Sequence, residues 1–359
     1  MIKKLAMMIG LLILGYFMVR PFTEAILPPF PANQGVFILK DIRKLPFSGY
    51  KVFNAGVLKI DDHYLFATRK RGNSYLHSLW KSAVLKENIK GLSIGEMDCN
   101  FKEIGEATSY SHVGKEKEIQ YIDPRLVRVG EAIYMVYCRQ QNGENRKTSK
   151  AVLHLATLEK ISGKWQVIQD SPLVFEGVEE FYQKGLVQRN FEKNWMPFSE
   201  NGELFFIYLM EPDHIVLKAD LQSGKVHLFS SSKNDFKKEI NAPRGSTPAV
   251  YDEELGGYIT CYHFVYPTQR KVLGKKVDAY FFGAYLFSKT PPFKILKRTK
   301  GPIIGKGFYD NFHKIIFPTS LIREGENYLL FYGNDDSSNN VATLSRKDLI
   351  DAMEEVEGD

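Results

Sequence analysis

A strand–turn–strand pattern that recurs five times along the 359 residues constrains the fold more than any other feature of this chain. In each unit a short apolar strand is followed by a turn rich in Gly, Asn or acidic residues and then by a strand rich in aromatic residues, which is typical of a β-hairpin. The second strands begin near residues 64, 133, 204, 258 and 328. Most units continue with two further strand-like stretches, so each unit supplies about four strands.

This repetition predicts an all-β fold, a five-bladed β-propeller. A β-sandwich would need fewer strands, and a parallel α/β fold would need helices between the strands. The 25 Phe and 19 Tyr residues also favour β-structure. The C-terminus is the exception, because Ser345 can cap a short helix that carries Leu349, Ile350 and Met353.

The N-terminus predicts a signal anchor. Lys3 and Lys4 precede an uncharged run over residues 5–19, which is short for a spanning helix but fits the apolar part of a signal sequence. Because no small-x-small cleavage site follows, we prefer an uncleaved anchor over a cleaved signal peptide. We expect an anchor at residues 1–20, a proline-rich stalk at 21–48 and a catalytic propeller at 49–359. The protein would then be membrane-anchored and single-pass, with its propeller on the exported (periplasmic, luminal or extracellular) side.

The composition excludes several classes of function. The net charge of +6 comes without a basic stripe or a nucleic-acid motif, so no nucleic-acid partner is expected. Three cysteines (Cys99, Cys138 and Cys261) argue against a disulfide-rich domain, although one pair stays open, and no ligand spacing predicts a metal. The sequence lacks a glycine-rich phosphate loop and a Gly-x-Ser-x-Gly motif, so it predicts no cofactor and no serine-hydrolase site.

Polar residues recur at equivalent places in the units. Before the first strands stand Asn54, Asp123, Lys193, Arg244, and His313 with Lys314. At the ends of the second strands stand Arg69, Arg139, Glu211 with Asp213, His263, and Asp335 with Asp336. In a propeller the innermost strand of each blade lines the central channel, so we expect these residues to converge on one pocket. The alternative is a set of solvated turn residues.

The residue types of this predicted pocket suit a sugar. Carboxylates, arginines and a histidine provide acid/base groups and partners for hydroxyls, and Trp195 offers a face for a pyranose ring. Trp195 could equally pack between blades. The triplet Asp123-Pro124-Arg125, which precedes a strand, could likewise be a plain turn in which Arg125 pairs with Asp123.

Several segments resemble one known family. They are "NAGVLKIDDHYLFATR" (54–69), "IDPRLVRVGEAIYMVYC" (122–138), "EKNWMPF" (192–198), "RGSTPAV" (244–250) and "FPTSLIREGENYLLFYGNDD" (317–336). In this order they resemble the five-bladed propeller family of β-mannoside phosphorylases, glycoside hydrolase family 130, and its β-1,2-mannosyltransferase relatives. The chain departs from the phosphorylases at Ile122, where they usually have Glu, and "KNWMPF" with the N-terminal segment looks more like the transferases.

The resemblance implies that Asp123 is the general acid or base. It also implies sugar contacts from Asn54, Arg69 and either Asp335 or Asp336, with His263 and Lys193 in the same pocket. The full substrate-binding set that we predict is Asn54, Arg69, Arg125, Lys193, Asn194, Trp195, Arg244, His263, Asp335 and Asp336.

The function expected from this set is inverting transfer of a β-mannosyl group to a mannose-containing glycan, from a nucleotide sugar or a sugar phosphate. A β-mannoside hydrolase or phosphorylase of the same fold and a non-catalytic glycan-binding propeller are the alternatives.

Overall fold

The structure is a computed structural model that describes residues 35–47, 52–70, 91–111, 119–141, 143, 148–188, 190–234, 243–272, 275–305, 308 and 315–356. The predicted anchor, residues 1–20, and the first part of the predicted stalk lie outside these residues. Within the described part of the chain, no helix has the length and apolar character needed to cross a membrane.

The described strands form five sheets, and the predicted five-bladed propeller is confirmed. Strand β1 (Leu39–Lys44) comes first in the chain and belongs to the fifth blade. The first blade contains β2 (Val52–Ile60), β3 (His63–Lys70), β4 (Gly91–Met97) and β5 (Glu103–Tyr110). The second contains β6 (Ile119–Val129), β7 (Ala132–Gln141), β8 (Lys150–Ile161) and β9 (Lys164–Pro172).

The third blade consists of a four-stranded antiparallel sheet with one short parallel strand at its outer edge. Its elements are β10 (Val174–Phe175), helix α1 (Val178–Gln183), β11 (Met196–Glu200), β12 (Glu203–Leu209), β13 (Asp213–Ala219) and β14 (Lys225–Lys233). Strand β10 pairs in parallel with β14. Helix α1 comes between the outermost strand β10 and the innermost strand β11 in the chain, so the chain crosses from one edge of the blade to the other in this part.

The fourth and fifth blades complete the ring. The fourth contains β15 (Arg244–Gly245), β16 (Val250–Asp252), β17 (Gly257–Val272), β18 (Lys275–Ser288) and β19 (Ile295–Thr299). The fifth contains β20 (Ile316–Glu324), β21 (Asn327–Asn334) and β22 (Ser338–Ser345). Helix α2 (Arg346–Asp351) and strand β23 (Met353–Glu355) follow.

Both ends of the described chain are paired into blades. Strand β1 pairs antiparallel with β22 and supplies the outer strand of the fifth blade, although residues 39–44 fall in the predicted stalk. Strand β23 pairs with β19 of the fourth blade. The predicted C-terminal helix is present, and the Ser345 hydroxyl accepts the Asp348 N–H at its start. Met353, which we expected on this helix, begins β23 instead because the sheet edge of β19 is there to pair with it.

The blades pack through buried aromatic residues and a few buried polar contacts. At one interface Glu96 of the first blade accepts hydrogen bonds from Lys160 Nζ and Trp165 Nε1 of the second, both at 2.7 Å. At another, His214 of the third blade contacts the fourth blade, with Nδ1 at 2.7 Å from the Phe293 carbonyl oxygen and Nε2 at 3.2 Å from the Tyr285 hydroxyl. These contacts satisfy polar groups that burial would otherwise leave unpaired.

Candidate functional site

Asp123 lies in a β-bulge of the innermost strand of the second blade. The pairing of β6 with β7 shifts register between Ile122 and Arg125, and Asp123 has a φ of 53°. A bulge bends a strand and redirects a side chain. Pro124 fits there, because a residue without an N–H costs no hydrogen bond where the ladder is already interrupted. The acid and the proline at this position therefore form the bulge that turns the carboxylate towards the channel.

Asn54 occupies a matching bulge in the first blade. The pairing of β2 with β3 shifts register between Phe53 and Gly56, and Asn54 has a φ of 54°. Its Nδ2 donates a 2.9 Å hydrogen bond to Oδ1 of Asp123. A Cβ at Gly56 would lie 2.3 Å from the Pro124 carbonyl oxygen, so glycine permits the two bulges to approach. The Asn54 amide thus fixes the orientation of the Asp123 carboxylate.

The two bulges open onto a cavity of about 220 Å³ at the centre of the ring. All five blades contribute to it. Its described lining consists of Asn54, Arg69, Gln120, Ile122, Asp123, Gln140, Lys193, Asn194, Arg244, His263, Tyr280, Ile315, Phe317 and Asp336. Eight of the eleven residues that we predicted from the sequence are in this set, so the structure brings most of them together.

Three basic side chains face this cavity. The Cζ atom of Arg69 lies 4.9 Å from the centre of the Phe53 ring, and its Nη2 donates a 2.7 Å hydrogen bond to Gln120 Oε1. Lys193 Nζ lies 4.9 Å from the centre of the Phe191 ring. Arg244 is exposed at the cavity mouth. The carboxylates of the described lining are Asp123 and Asp336, so positive groups outnumber negative ones, and the cavity suits an anionic ligand.

His263 is a neutral member of the site. It is buried, and its Nδ1 lies 2.9 Å from the Ser246 hydroxyl. Burial lowers the pKa of His263 well below its ordinary value, and the nearby charges of Arg244, Arg125 and Lys193 lower it further. At neutral pH this imidazole is therefore uncharged and acts as a hydrogen-bonding group.

Arg125 lies behind the cavity wall. It is 1 % exposed, its Nε donates to the Ser246 carbonyl oxygen, and its Nη1 donates to the Asp123 carbonyl oxygen at 3.2 Å. These bonds run to main-chain oxygens, so they differ from the carboxylate pair of the plain-turn alternative. Burial lowers the pKa of Arg125, an effect that the charge of Asp123 opposes. The structure places Arg125 as a link between the second and fourth blades.

Two other predicted residues also have places outside this cavity. Trp195 is 2 % exposed, packs edge-on against Tyr208 with ring centres 5.3 Å apart, and donates from Nε1 to Glu192 at 3.1 Å. This position agrees with the packing alternative for Trp195. Asp335 accepts the Ile315 N–H at 3.0 Å through its carboxylate, and its neighbour Asp336 lines the cavity.

The remaining sequence candidates divide into three groups. Arg139 and Asp213 are not among the residues that line the cavity, and Glu211 lines a second one. His313 and Lys314 lie outside the described residues.

Six lining residues were not predicted from the sequence: Gln120, Ile122, Gln140, Tyr280, Ile315 and Phe317. Gln120 and Gln140 are register partners in β6 and β7. They were hidden because the bulge at Asp123 breaks the alternation that would have put Gln120 and Asp123 on opposite faces. Tyr280 comes from the long strand β18, and no local sequence signal marks it.

A second cavity of about 240 Å³ lies beside the first, over the third blade. Lys193, Asn194 and Arg244 line both cavities. The rest of its described lining is Leu186, Val187, Gln188, Phe191, Glu192, Trp195, Tyr208, Leu209, Met210, Glu211, Pro243 and Gly245. Among the residues that the structure describes, no group of His, Cys, Asp and Glu is arranged to hold a metal ion.

Comparison with known proteins gives one family. A family model described as beta-1,4-mannooligosaccharide phosphorylase (Glyco_hydro_130) matches residues 35–355. A search of curated proteins finds no match.

Many solved structures share the fold. A glycosyl hydrolase from Bacteroides ovatus matches with a TM-score of 0.55 and 14% identity over 89% of this chain and 93% of that chain. A β-1,2-mannobiose phosphorylase from Listeria innocua, solved with β-1,2-mannobiose, matches with a TM-score of 0.54 and 14% identity over 86% and 94%. At this identity the likeness establishes the propeller architecture alone.

Proposed function

The chain belongs to glycoside hydrolase family 130, a family of mannoside-active enzymes, and we propose that it transfers a β-mannosyl group, with inversion, between a mannose-containing glycan and a phosphate-bearing group. The observation that carries this proposal is one cavity in which the carboxylate of Asp123 lies together with Lys193, Arg244 and Arg69. A carboxylate supplies acid/base chemistry, and a basic cluster supplies binding for a phosphate.

Asp123 is the general acid and base of the proposed reaction. In the synthetic direction it takes the proton of the acceptor hydroxyl while that oxygen bonds to C1 of the mannosyl group and the C1–O bond to phosphate breaks. In the reverse direction it returns the proton to the glycosidic oxygen while a phosphate oxygen bonds to C1. Asn54 holds Oδ1 of Asp123, which leaves Oδ2 for the proton transfer.

The basic groups support a phosphate-bearing partner over water. A hydrolase needs only a neutral water as the second reactant, whereas a phosphate or a nucleotide carries negative charge that must be offset. Lys193, Arg244 and Arg69 supply that positive charge. His263 adds a neutral hydrogen-bonding group beside them.

Inversion follows from a single displacement. A retaining enzyme uses a second carboxylate as its nucleophile. In the proposed reaction the phosphate or the acceptor hydroxyl attacks C1 directly, on the face opposite to the leaving group. No covalent intermediate with the protein is needed, so Asp336 is assigned to binding sugar hydroxyls.

We place the synthetic reaction first, because the segment Lys193–Phe198 and the N-terminal segment resemble those of transferase relatives. We further propose that residues 1–20 hold the propeller at a membrane on its exported side. The donor would be a nucleotide sugar such as GDP-mannose, or mannose 1-phosphate.

The test is incubation of the purified protein with mannose-containing acceptors and GDP-mannose, mannose 1-phosphate or no donor. We expect a β-mannoside to form only with a phosphate-bearing donor, and the reverse reaction of a β-mannoside with phosphate to give α-mannose 1-phosphate by NMR. Free mannose released from a β-mannoside without phosphate would instead show a hydrolase. Glycan binding without any turnover would show a binding module.

A further inference from the structure

Arg125 and Ser246 connect two sides of the central cavity from behind its wall. Arg125 belongs to the second blade and Ser246 to the fourth, and the third blade separates these two in the ring. We propose that the pair are positioning residues, which hold the Asp123 carboxylate and the His263 imidazole at a fixed spacing across the cavity. This proposal rests on the proposed function, because it takes Asp123 as the acid/base group and His263 as a neighbour of the phosphate-bearing group.

Arg125 holds the main chain of the bulge that carries Asp123. The Arg125 side chain is 1 % exposed, and its Nη1 donates to the Asp123 carbonyl oxygen at 3.2 Å. The carboxylate of Asp123 is held separately, by Asn54 Nδ2 at 2.9 Å. Asn54 therefore sets the direction of the carboxylate, whereas Arg125 sets the position of the backbone from which the carboxylate projects.

Ser246 is the fixed point at the other end of this connection. It is fully buried, its carbonyl oxygen accepts a hydrogen bond from Arg125 Nε, and its hydroxyl lies 2.9 Å from His263 Nδ1. The next residue, Thr247, is tied to β17, because its N–H donates to the Cys261 carbonyl oxygen at 3.2 Å and its hydroxyl oxygen accepts the Cys261 N–H at 2.9 Å. Ser246 thus joins the guanidinium to the imidazole through its carbonyl and its hydroxyl.

The His263 ring has a fixed orientation in the cavity. It stacks on Tyr280 with ring centres 5.9 Å apart, and it meets Phe317 edge-on at 4.9 Å. Both aromatic residues line the cavity with it. The stacking fixes the plane of the imidazole, and the contact of Nδ1 with Ser246 fixes its rotation within that plane. A hydrogen-bonding group held in this way needs little rearrangement to bind a ligand.

Stability alone is a poor reason for an arginine at this position. A buried charge is a weak source of stability, because its removal from water costs about as much as its contacts return. The Nη2 atom of Arg125 is also buried without a hydrogen-bond partner among the residues that the structure describes. Such a costly group is expected where a site requires it. The planar guanidinium supplies what the connection needs, since it reaches two carbonyl oxygens in a rigid geometry.

The proposed reaction depends on the spacing that this pair controls. Asp123 transfers the proton in the same displacement in which the bond between C1 and the phosphate oxygen forms or breaks. The carboxylate and the phosphate-bearing group must therefore be in place on both sides of the sugar at the same moment. Reacting atoms need to lie about 3–3.5 Å apart, and a misplacement of about 1 Å can cost roughly 100-fold in rate.

The test combines steady-state kinetics and thermal melting of two variants and a control. Arg125→Lys keeps the charge but cannot bind both carbonyl oxygens in the same geometry. Ser246→Ala removes the hydroxyl and keeps the carbonyl that Arg125 binds. Arg298→Lys is the matched control, because Arg298 is also buried, at 8 % exposed, and pairs with Glu354 outside the cavity lining.

We expect Arg125→Lys to lower kcat about 10- to 100-fold and to leave the KM for the phosphate-bearing substrate near the wild-type value, because the groups that bind phosphate are intact. Ser246→Ala should raise that KM about 2- to 10-fold, since His263 loses its partner, and Arg298→Lys should change neither constant. A folded Arg125→Lys protein with wild-type kcat, or the same loss of kcat in Arg298→Lys, would overturn the proposal. If Arg125→Lys does not fold, an unchanged KM in Ser246→Ala overturns it.

The imidazole signals of His263 in NMR provide a second measurement that needs no turnover. The loss of these signals in His263→Gln assigns them. They should shift in Ser246→Ala and also in Arg125→Lys, where the charge is kept and only the geometry changes, but not in Arg298→Lys. Absence of turnover in the wild type with every donor would reject the proposed function, whereas unshifted His263 signals in Arg125→Lys would reject the connection itself.

Discussion

At the scale of single residues, the site depends on two side chains that stand at positive φ on neighbouring inner strands. Asn and Asp tolerate this conformation better than other residues that carry a Cβ. Asn54 and Asp123 both adopt it inside a bulge, and a hydrogen bond of 2.9 Å joins them. The irregular backbone at these two bulges therefore directs the Asp123 carboxylate, and the Asn54 amide that orients it, towards the cavity.

Lys193 gives a test of the anionic partner at the same scale. Lys193→Met keeps the length of the side chain and removes its charge. We expect the KM for the phosphate-bearing substrate to rise roughly 10- to 100-fold, the usual effect of losing a hydrogen bond to a charged group. Steady-state kinetics with varied donor or phosphate checks this.

Lys218→Met is the matched control for that variant. Lys218 also lies over an aromatic ring, at 5.9 Å from Phe229, but on the third blade outside the cavity lining. The KM of the Lys218→Met variant for the phosphate-bearing substrate should equal that of the wild type. An unchanged KM in Lys193→Met would remove Lys193 from the binding of the anion.

At the scale of elements, the first and the last strand of the described residues each add an edge strand to a blade formed by later or earlier parts of the chain. Strand β1 covers the edge of β22, and β23 covers the edge of β19. An uncovered sheet edge offers unpaired N–H and C=O groups to other chains. The propeller therefore depends on residues that are far apart in sequence.

Two truncations test this dependence. A chain without residues 1–30 keeps β1 and should be soluble and folded. A chain without residues 1–46 loses β1 and should melt at a clearly lower temperature or aggregate, because the edge of β22 is exposed. Thermal melts and light scattering compare them. Equal melting temperatures of the two truncated chains would show that β1 is dispensable. If the chain without residues 1–30 stayed in the membrane fraction, that result would contradict the proposed anchor.

The sequence predicted the elements that carry a local signal. Each inner hairpin has a turn and an aromatic strand, so the hairpins whose second strands begin near Tyr64, Ile133 and Tyr328 could be predicted. Strand β1 was not predicted, because nothing in the sequence of Leu39–Lys44 indicates that it pairs with β22, which lies at the other end of the propeller sequence. Tyr280 was missed for a similar reason: its place in the cavity lining depends on how the long strand β18 lies in the folded ring, which the local sequence does not indicate. The roles of Trp195 and Arg125 could not be decided from the sequence, because the burial of these side chains depends on residues that are distant in the chain.

At the scale of the whole molecule, the ring is held by polar contacts between blades as well as by apolar packing. His214 joins the third blade to the fourth through the Phe293 carbonyl oxygen and the Tyr285 hydroxyl. Burial lowers the pKa of His214 from 6.5 to about 4. A protonated imidazole at this interface would be a buried charge, so acid should loosen the contact between the blades.

The expected pH dependence follows from the direction of this shift. Between pH 6.5 and about 4 the unfolded chain binds a proton at His214 that the folded chain does not. The stability that the neutral imidazole provides is therefore complete above pH 6.5 and falls as the pH drops towards 4, by on the order of 3 kcal/mol. Urea unfolding at a series of pH values should show a smaller loss in His214→Gln. The same loss in His214→Gln as in the exposed-site control His227→Gln would contradict the assignment.

The most direct test of the account is the turnover of Asp123→Asn beside that of Asp61→Asn. Both aspartates have positive φ, at 53° and 51°, but Asp61 lies in the exposed turn between β2 and β3. Asn accepts this conformation and can keep the hydrogen bond from Asn54, so both variants should melt near the wild-type temperature. We predict that Asp123→Asn lowers turnover about 10²- to 10⁴-fold while glycan binding persists, and that Asp61→Asn retains full turnover. A folded Asp123→Asn protein with wild-type turnover would contradict the assignment of Asp123 as the acid/base group.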